Sequence, residues 1–141
     1  MNAKPRCSVA LAALAVALLG ACGGGGAPAD ASGSQTRPHS PAQIGILSPR
    51  NGEVVHGDKL SVRLSLRHGR IVPATTTDIE PDKGHVHVSL DGSIVSMNYG
   101  LRDTISGVEP GTHTLRVEFV ASDHLPFDPR VFQEVAFQVK P

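Results

Sequence analysis

Between Lys59 and Arg67 the chain alternates without a break, with Leu60, Val62, Leu64 and Leu66 set against Ser61, Arg63, Ser65 and Arg67. A period of two sends successive side chains to opposite faces of an extended strand, so one face can be buried while the other meets water. The pattern returns at His85-Val86-His87-Val88-Ser89-Leu90. It returns again from Thr112 to Val120, where Leu115, Val117 and Phe119 oppose Thr114, Arg116 and Glu118. A last run from Val131 to Val139 puts Val135, Phe137 and Val139 on one face. Shorter strands are predicted at 44–47, 94–97 and 104–108. Turn residues separate the runs: Ser48-Pro49-Arg50-Asn51-Gly52, Asp91-Gly92, Glu109-Pro110-Gly111, and a loop over 122–129. Asp-Gly between apolar runs signals a hairpin. No window carries a 3.6-residue period. About seven short strands over residues 43–141 predict an immunoglobulin-like antiparallel β-sandwich, with a small open barrel as the alternative architecture. Aromatic residues make up only 4% of the chain and Trp is absent, so the core must be built mainly of Val, Leu and Ile.

The first 21 residues have the parts of an export signal. Lys4 and Arg6 form a short positive segment, and Val9 to Leu19 is a continuous Ala/Leu/Val run. That run is too short to span a hydrocarbon core of about 30 Å as a helix. It ends at Leu19-Gly20-Ala21-Cys22, which resembles the bacterial lipobox: small residues admit a peptidase, and the cysteine thiol carries lipid. Cleavage is therefore expected before Cys22, followed by a lipidated, palmitate-type membrane anchor. Residues 22–42 are rich in Gly, Ala, Ser and Pro and read as a flexible linker. The chain has two cysteines, Cys7 and Cys22. Loss of the first and lipidation of the second leave the domain no disulfide, no thiolate ligand and no thiol nucleophile.

Charge excludes one class of partner. Formal net charge is zero, and removal of Lys4 and Arg6 leaves 11 basic and 13 acidic residues. A nucleic-acid binder needs a dense basic patch, and none is present in the sequence. Enzyme motifs are also missing: there is no Gly-x-Ser-x-Gly elbow, no His-Glu-x-x-His and no phosphate-cradling glycine loop in the domain. The expected role is a non-enzymatic binding or accessory module outside the cytoplasm, anchored to a membrane with a mild preference for the outer one. The alternative is a structural adaptor for an envelope protein partner.

Four segments occur in order: Gly69-Arg70-Ile71-Val72-Pro73-Ala74, Gly84-His85-Val86-His87, Pro110-Gly111-Thr112-His113-Thr114-Leu115 and Asp123-His124-Leu125-Pro126. Together they resemble a family of bacterial periplasmic lipoprotein domains over residues 44–141. The resemblance implies an exported immunoglobulin-like domain and brings no established activity with it.

The seven histidines sort by topology, with His39 in the linker. In such a sandwich the loops after 59–67 and after 112–120 lie at one end. His68, His85, His87, Asp123 and His124 therefore gather there, while His56 and His113 belong at the other. Val86, Val88 and Leu90 must face the core, so His85 and His87 point outward together, about 6.6–7 Å apart along the strand. Two imidazoles at that spacing can converge on one ion, and copper or zinc suits imidazole. His124 or Asp123 would supply a third ligand, with His68, Glu80 and Asp82 as further options. The competing reading is a pair of ordinary solvent-facing histidines. His113 shares the parity of Leu115 and Phe119 and is expected to be a structural histidine at a strand corner. Met97 is expected to fill the core.

Overall fold

A computed structural model describes residues 36–73 and 75–141. The expected export segment, Cys22 and the first part of the expected linker lie outside the described residues.

The described chain is all-β. Its nine strands are β1 (Gln43–Ser48), β2 (Val54–His56), β3 (Lys59–Arg67), β4 (Arg70–Ile71), β5 (Lys83–Leu90), β6 (Ser93–Asn98), β7 (Arg102–Ser106), β8 (Gly111–Ala121) and β9 (Pro126–Lys140). One sheet has the order β1-β3-β7. The other runs β2-β9-β8-β5-β4, with β6 also paired to β5. Pairing is antiparallel except for β2 with β9 and β4 with β5. The two sheets face each other as the expected immunoglobulin-like sandwich. Leu60, Val62 and Leu64 of β3 meet Val86 and Val88 of β5, Leu115, Val117 and Phe119 of β8, and Phe137 and Val139 of β9 in one buried cluster. Each such side chain contributes about 1.5–3 kcal/mol through burial. Phe119 and Phe127 stack with ring centroids 5.7 Å apart.

The predicted hairpin is present. Asp91 and Gly92 have φ of 51° and 84°, the left-handed pair that a two-residue turn between twisted strands requires. Other expectations are corrected. The predicted strand at 104–108 lies at Arg102–Ser106. The long polar stretch after His68 contains β4, and β2 is an added strand; both are too short for periodicity to reveal. The expected loop over 122–129 shrinks to a turn at Ser122–Leu125, because β9 begins at Pro126. Met97 does not fill the core: it is 54% exposed on β6, opposite His87. The linker also ends earlier than residue 42. Ser40 and Ala42 are buried, and the Asp128 amide donates to the Pro38 carbonyl at 3.1 Å.

Candidate metal centre

Alternation along β5 decides which way its histidines point. Val86 and Val88 enter the core, so His85 and His87 take the outer face of the larger sheet, as expected. Their exposure is a different matter. His85 is 0% and His87 9% exposed, which corrects the expectation of solvent-facing imidazoles. The outer face is covered at this end. Val120 and Glu118 of β8 stand opposite His85 and His87 in the register. The chain beyond β4 is tied on by Val72 N to Gly84 O at 2.8 Å and Thr76 N to Ser122 O at 3.2 Å. The Tyr99 ring lies 5.2 Å from that of His85. A period of two reports the face a side chain takes, not what folds over that face.

The turn between β8 and β9 brings in the third imidazole. The His124 amide donates to Ala121 O and the Ala121 amide to Leu125 O, both at 3.0 Å. His124 itself has φ 66°, a conformation that non-glycine residues seldom adopt. Asp123 is not part of the cluster, contrary to its expected role as a ligand. Its carboxylate accepts both arms of the Arg37 guanidinium, at 2.6 and 2.9 Å. The Arg37 hydrogen bonds hold the Asp123 carboxyl below the usual carboxylate range.

Three ring nitrogens now converge. His85 Nε2 lies 3.1 Å from His87 Nε2 and 2.9 Å from His124 Nδ1. One donor nitrogen from each residue falls within 4.8 Å of the other two. A tetrahedral ion with bonds of 2.0–2.1 Å would hold its donors about 3.3 Å apart, so small side-chain shifts would seat one. Protons alone satisfy the trio poorly. A neutral imidazole offers one N–H and one lone pair, and His85 Nε2 faces two partners. As a donor it serves only one of them; as an acceptor it has one in-plane lone pair for two donors. Burial, then the proximity of His124 and His87, lowers the His85 pKa to about 4. Burial and His124 also lower that of His87. These two rings are therefore neutral at pH 7, the state in which a nitrogen lone pair is free to bind a metal. The Thr75 hydroxyl is 3.1 Å from His124 Nε2, and its oxygen accepts a hydrogen bond from Nε2–H in the tautomer that leaves the Nδ1 lone pair free. His85 Nδ1 is buried without a hydrogen-bond partner, so packing orients that ring.

His87 and His124 also line an open groove of about 430 Å³ together with Glu118, Arg116 and Arg130. Glu118 is buried and accepts both arms of Arg130 at 2.6 Å. A ligand on the ion could approach from this groove.

The remaining candidates lie elsewhere. His68 is exposed with φ 54° at the end of β3. Glu80 pairs with Lys83, and Asp82 with Arg70. His113 has the expected structural role: its ring nitrogens lie 2.7 Å from Asp91 Oδ2 and 2.8 Å from Glu109 O. Sequence reasoning missed Arg37, Thr75, Tyr99 and Glu118, which surround the trio without any spacing signal.

No family model and no curated protein matches the chain, so the resemblance to periplasmic lipoprotein domains finds no counterpart there. Solved structures do match, distantly. The fibronectin(III)-like modules of Clostridium thermocellum CbhA share 15% identity at a TM-score of 0.46, over 70% of this chain and 96% of that one. An endo-β-1,4-mannanase from Thermotoga petrophila shares 14% at 0.45, over 77% of this chain and 21% of that one. An engineered protein shares 14% at 0.46, over 71% and 20%. The sandwich assignment rests on the strand pairing described above.

Proposed function

We propose that this chain is an exported accessory module, anchored through lipid on Cys22, that binds copper or zinc through His85, His87 and His124. One observation carries the reading: three imidazole nitrogens within 4.8 Å of one another, two of them on buried rings. No other group of three such side chains converges among the described residues. The role is binding rather than catalysis, and the partners are a membrane and a metal ion, not a nucleic acid.

Titration of the full-length chain in detergent with copper(II) and zinc(II) tests this. Saturable one-to-one binding is expected. It should weaken at least tenfold in His124→Ala, a residue only partly buried, and more in His85→Ala/His87→Ala. Binding that is absent, or unchanged in both variants while each keeps its β-sheet circular dichroism, overturns the reading. The adaptor alternative draws on a separate observation. Ile94, Val95 and Met97 of β6 and Phe132 of β9 are exposed apolar residues on the larger sheet. Failure of metal binding would leave that face as the functional surface.

A further inference from the structure

Arg37 lies in the segment that leads from the linker into the domain, far in sequence from every ligand. Its guanidinium nevertheless spends all its reach on the turn that carries His124. Nη1 and Nη2 donate to the Asp123 carboxylate at 2.6 and 2.9 Å. Nη2 also donates to Leu125 O at 3.1 Å, and Nε to Pro126 O at 2.9 Å. The acceptors flank His124 on both sides in the chain. Both partners of the ion pair are largely withdrawn from solvent, with side-chain exposures of 18% and 16%. A rigid planar fork fits a carboxylate in a way that lysine cannot reproduce. The left-handed backbone of His124 persists only where surrounding contacts over-determine it. Arg37 supplies such contacts in addition to the His124 amide bond to Ala121 O, while the imidazole meets Thr75 and the other two histidines.

We propose that Arg37 is the positioning residue for the third ligand, and that docking of this N-terminal segment and occupation of the metal site are thermodynamically coupled. The proposal rests on the metal reading above. With Arg37 docked, His124 Nδ1 is held 2.9 Å from His85 Nε2, ready for a three-nitrogen site. With Arg37 withdrawn, the turn loses its outer clamp and the site falls back to the His85–His87 pair. Coupling is reciprocal: a bound ion that holds His124 in place must hold Arg37 in place by the same factor.

The test uses the full-length chain, with cobalt(II) as a spectroscopic probe and zinc(II) for affinity. Arg37→Ala is expected to weaken zinc binding about tenfold and to lower the visible cobalt absorption that marks a four-coordinate site. Arg37→Lys should stay close to Arg37→Ala. In a His124→Ala background, Arg37→Ala should have no further effect. Zinc should slow hydrogen exchange at the Asp128 amide, which donates to Pro38 O, in the wild type but not in Arg37→Ala. An unchanged cobalt spectrum and affinity in Arg37→Ala, full rescue by lysine, or an effect that persists without His124 overturns the proposal. If the wild type binds no metal, the metal reading fails instead. The clamp is then judged on the metal-free chain. Arg37→Ala must speed exchange at the amides of His124 and Leu125, and unchanged rates there overturn it.

Discussion

His113 is held from both ring nitrogens by acceptors, a carboxylate at one and a carbonyl at the other. Both nitrogens can donate only if the ring is the cation. The Asp91 hydrogen bond accordingly raises the His113 pKa, while the Thr114 amide and then His113 lower that of Asp91. A raised histidine contributes stability that is full below its unfolded value of about 6.5 and is lost as pH climbs through the folded value. The depressed aspartate adds stability above about pH 4. Asp91 is half-exposed, so solvent keeps the pair at about 1 kcal/mol or less. Asp91→Asn retains an acceptor for the Thr114 amide but removes the charge. The stability gap between wild type and this variant, measured by urea unfolding, should be wider at pH 6 than at pH 8.5. An equal gap at both values refutes the ion pair. Parity and the Pro110-Gly111 corner made the structural role of His113 legible in the sequence. Its carboxylate partner was not, because Asp91 had already been accounted for by the turn it forms with Gly92.

β5 is the element on which fold and site meet. Gly84 pairs with Ala121, and a Cβ added there would stand 1.9 Å from the Val120 carbonyl oxygen. The register of β8 against β9 shifts next to that carbonyl, between Phe119 and Val120. Gly84→Ala should therefore destabilise the domain by about 3 kcal/mol. It should also displace His85, the next residue, and the cost is checked by chemical denaturation. A variant as stable as the wild type would show that the strands separate freely. The long strands were legible because four or five alternations specify a face. β2 and β4 were not, since three and two residues carry no period and each pairs in parallel rather than through a hairpin. The start of β9 was hidden by Pro126 and Pro129. Residues 127–130 sit out of register between two paired stretches, where a missing N–H costs no ladder bond.

At the scale of the molecule, the two sheets meet through a layer centred on Phe119, which pairs with Val86 and stacks on Phe127. Phe119→Ala should cost about 3–5 kcal/mol in unfolding free energy. A loss below about 1 kcal/mol would mean that this layer does not hold the sandwich together. The sandwich topology let the sequence place His85, His87 and His124 at one end, because the loops that carry them share it. Their burial could not be read the same way: it comes with the Ser122–Leu125 turn and with contacts made by Val72, Thr75 and Thr76 on that side of the sheet. The contribution of Arg37 was equally hidden in a stretch whose composition reads as a spacer. The three imidazoles thus sit outside the layer that supplies most of the folding energy, with Gly84 at the seam. Interior residues of β3 and β8 can be exchanged for others of similar volume while the arrangement of the three imidazoles stays put. The trio can in turn be substituted without reopening the interior, so this scaffold separates its candidate ligands from the residues that fold it.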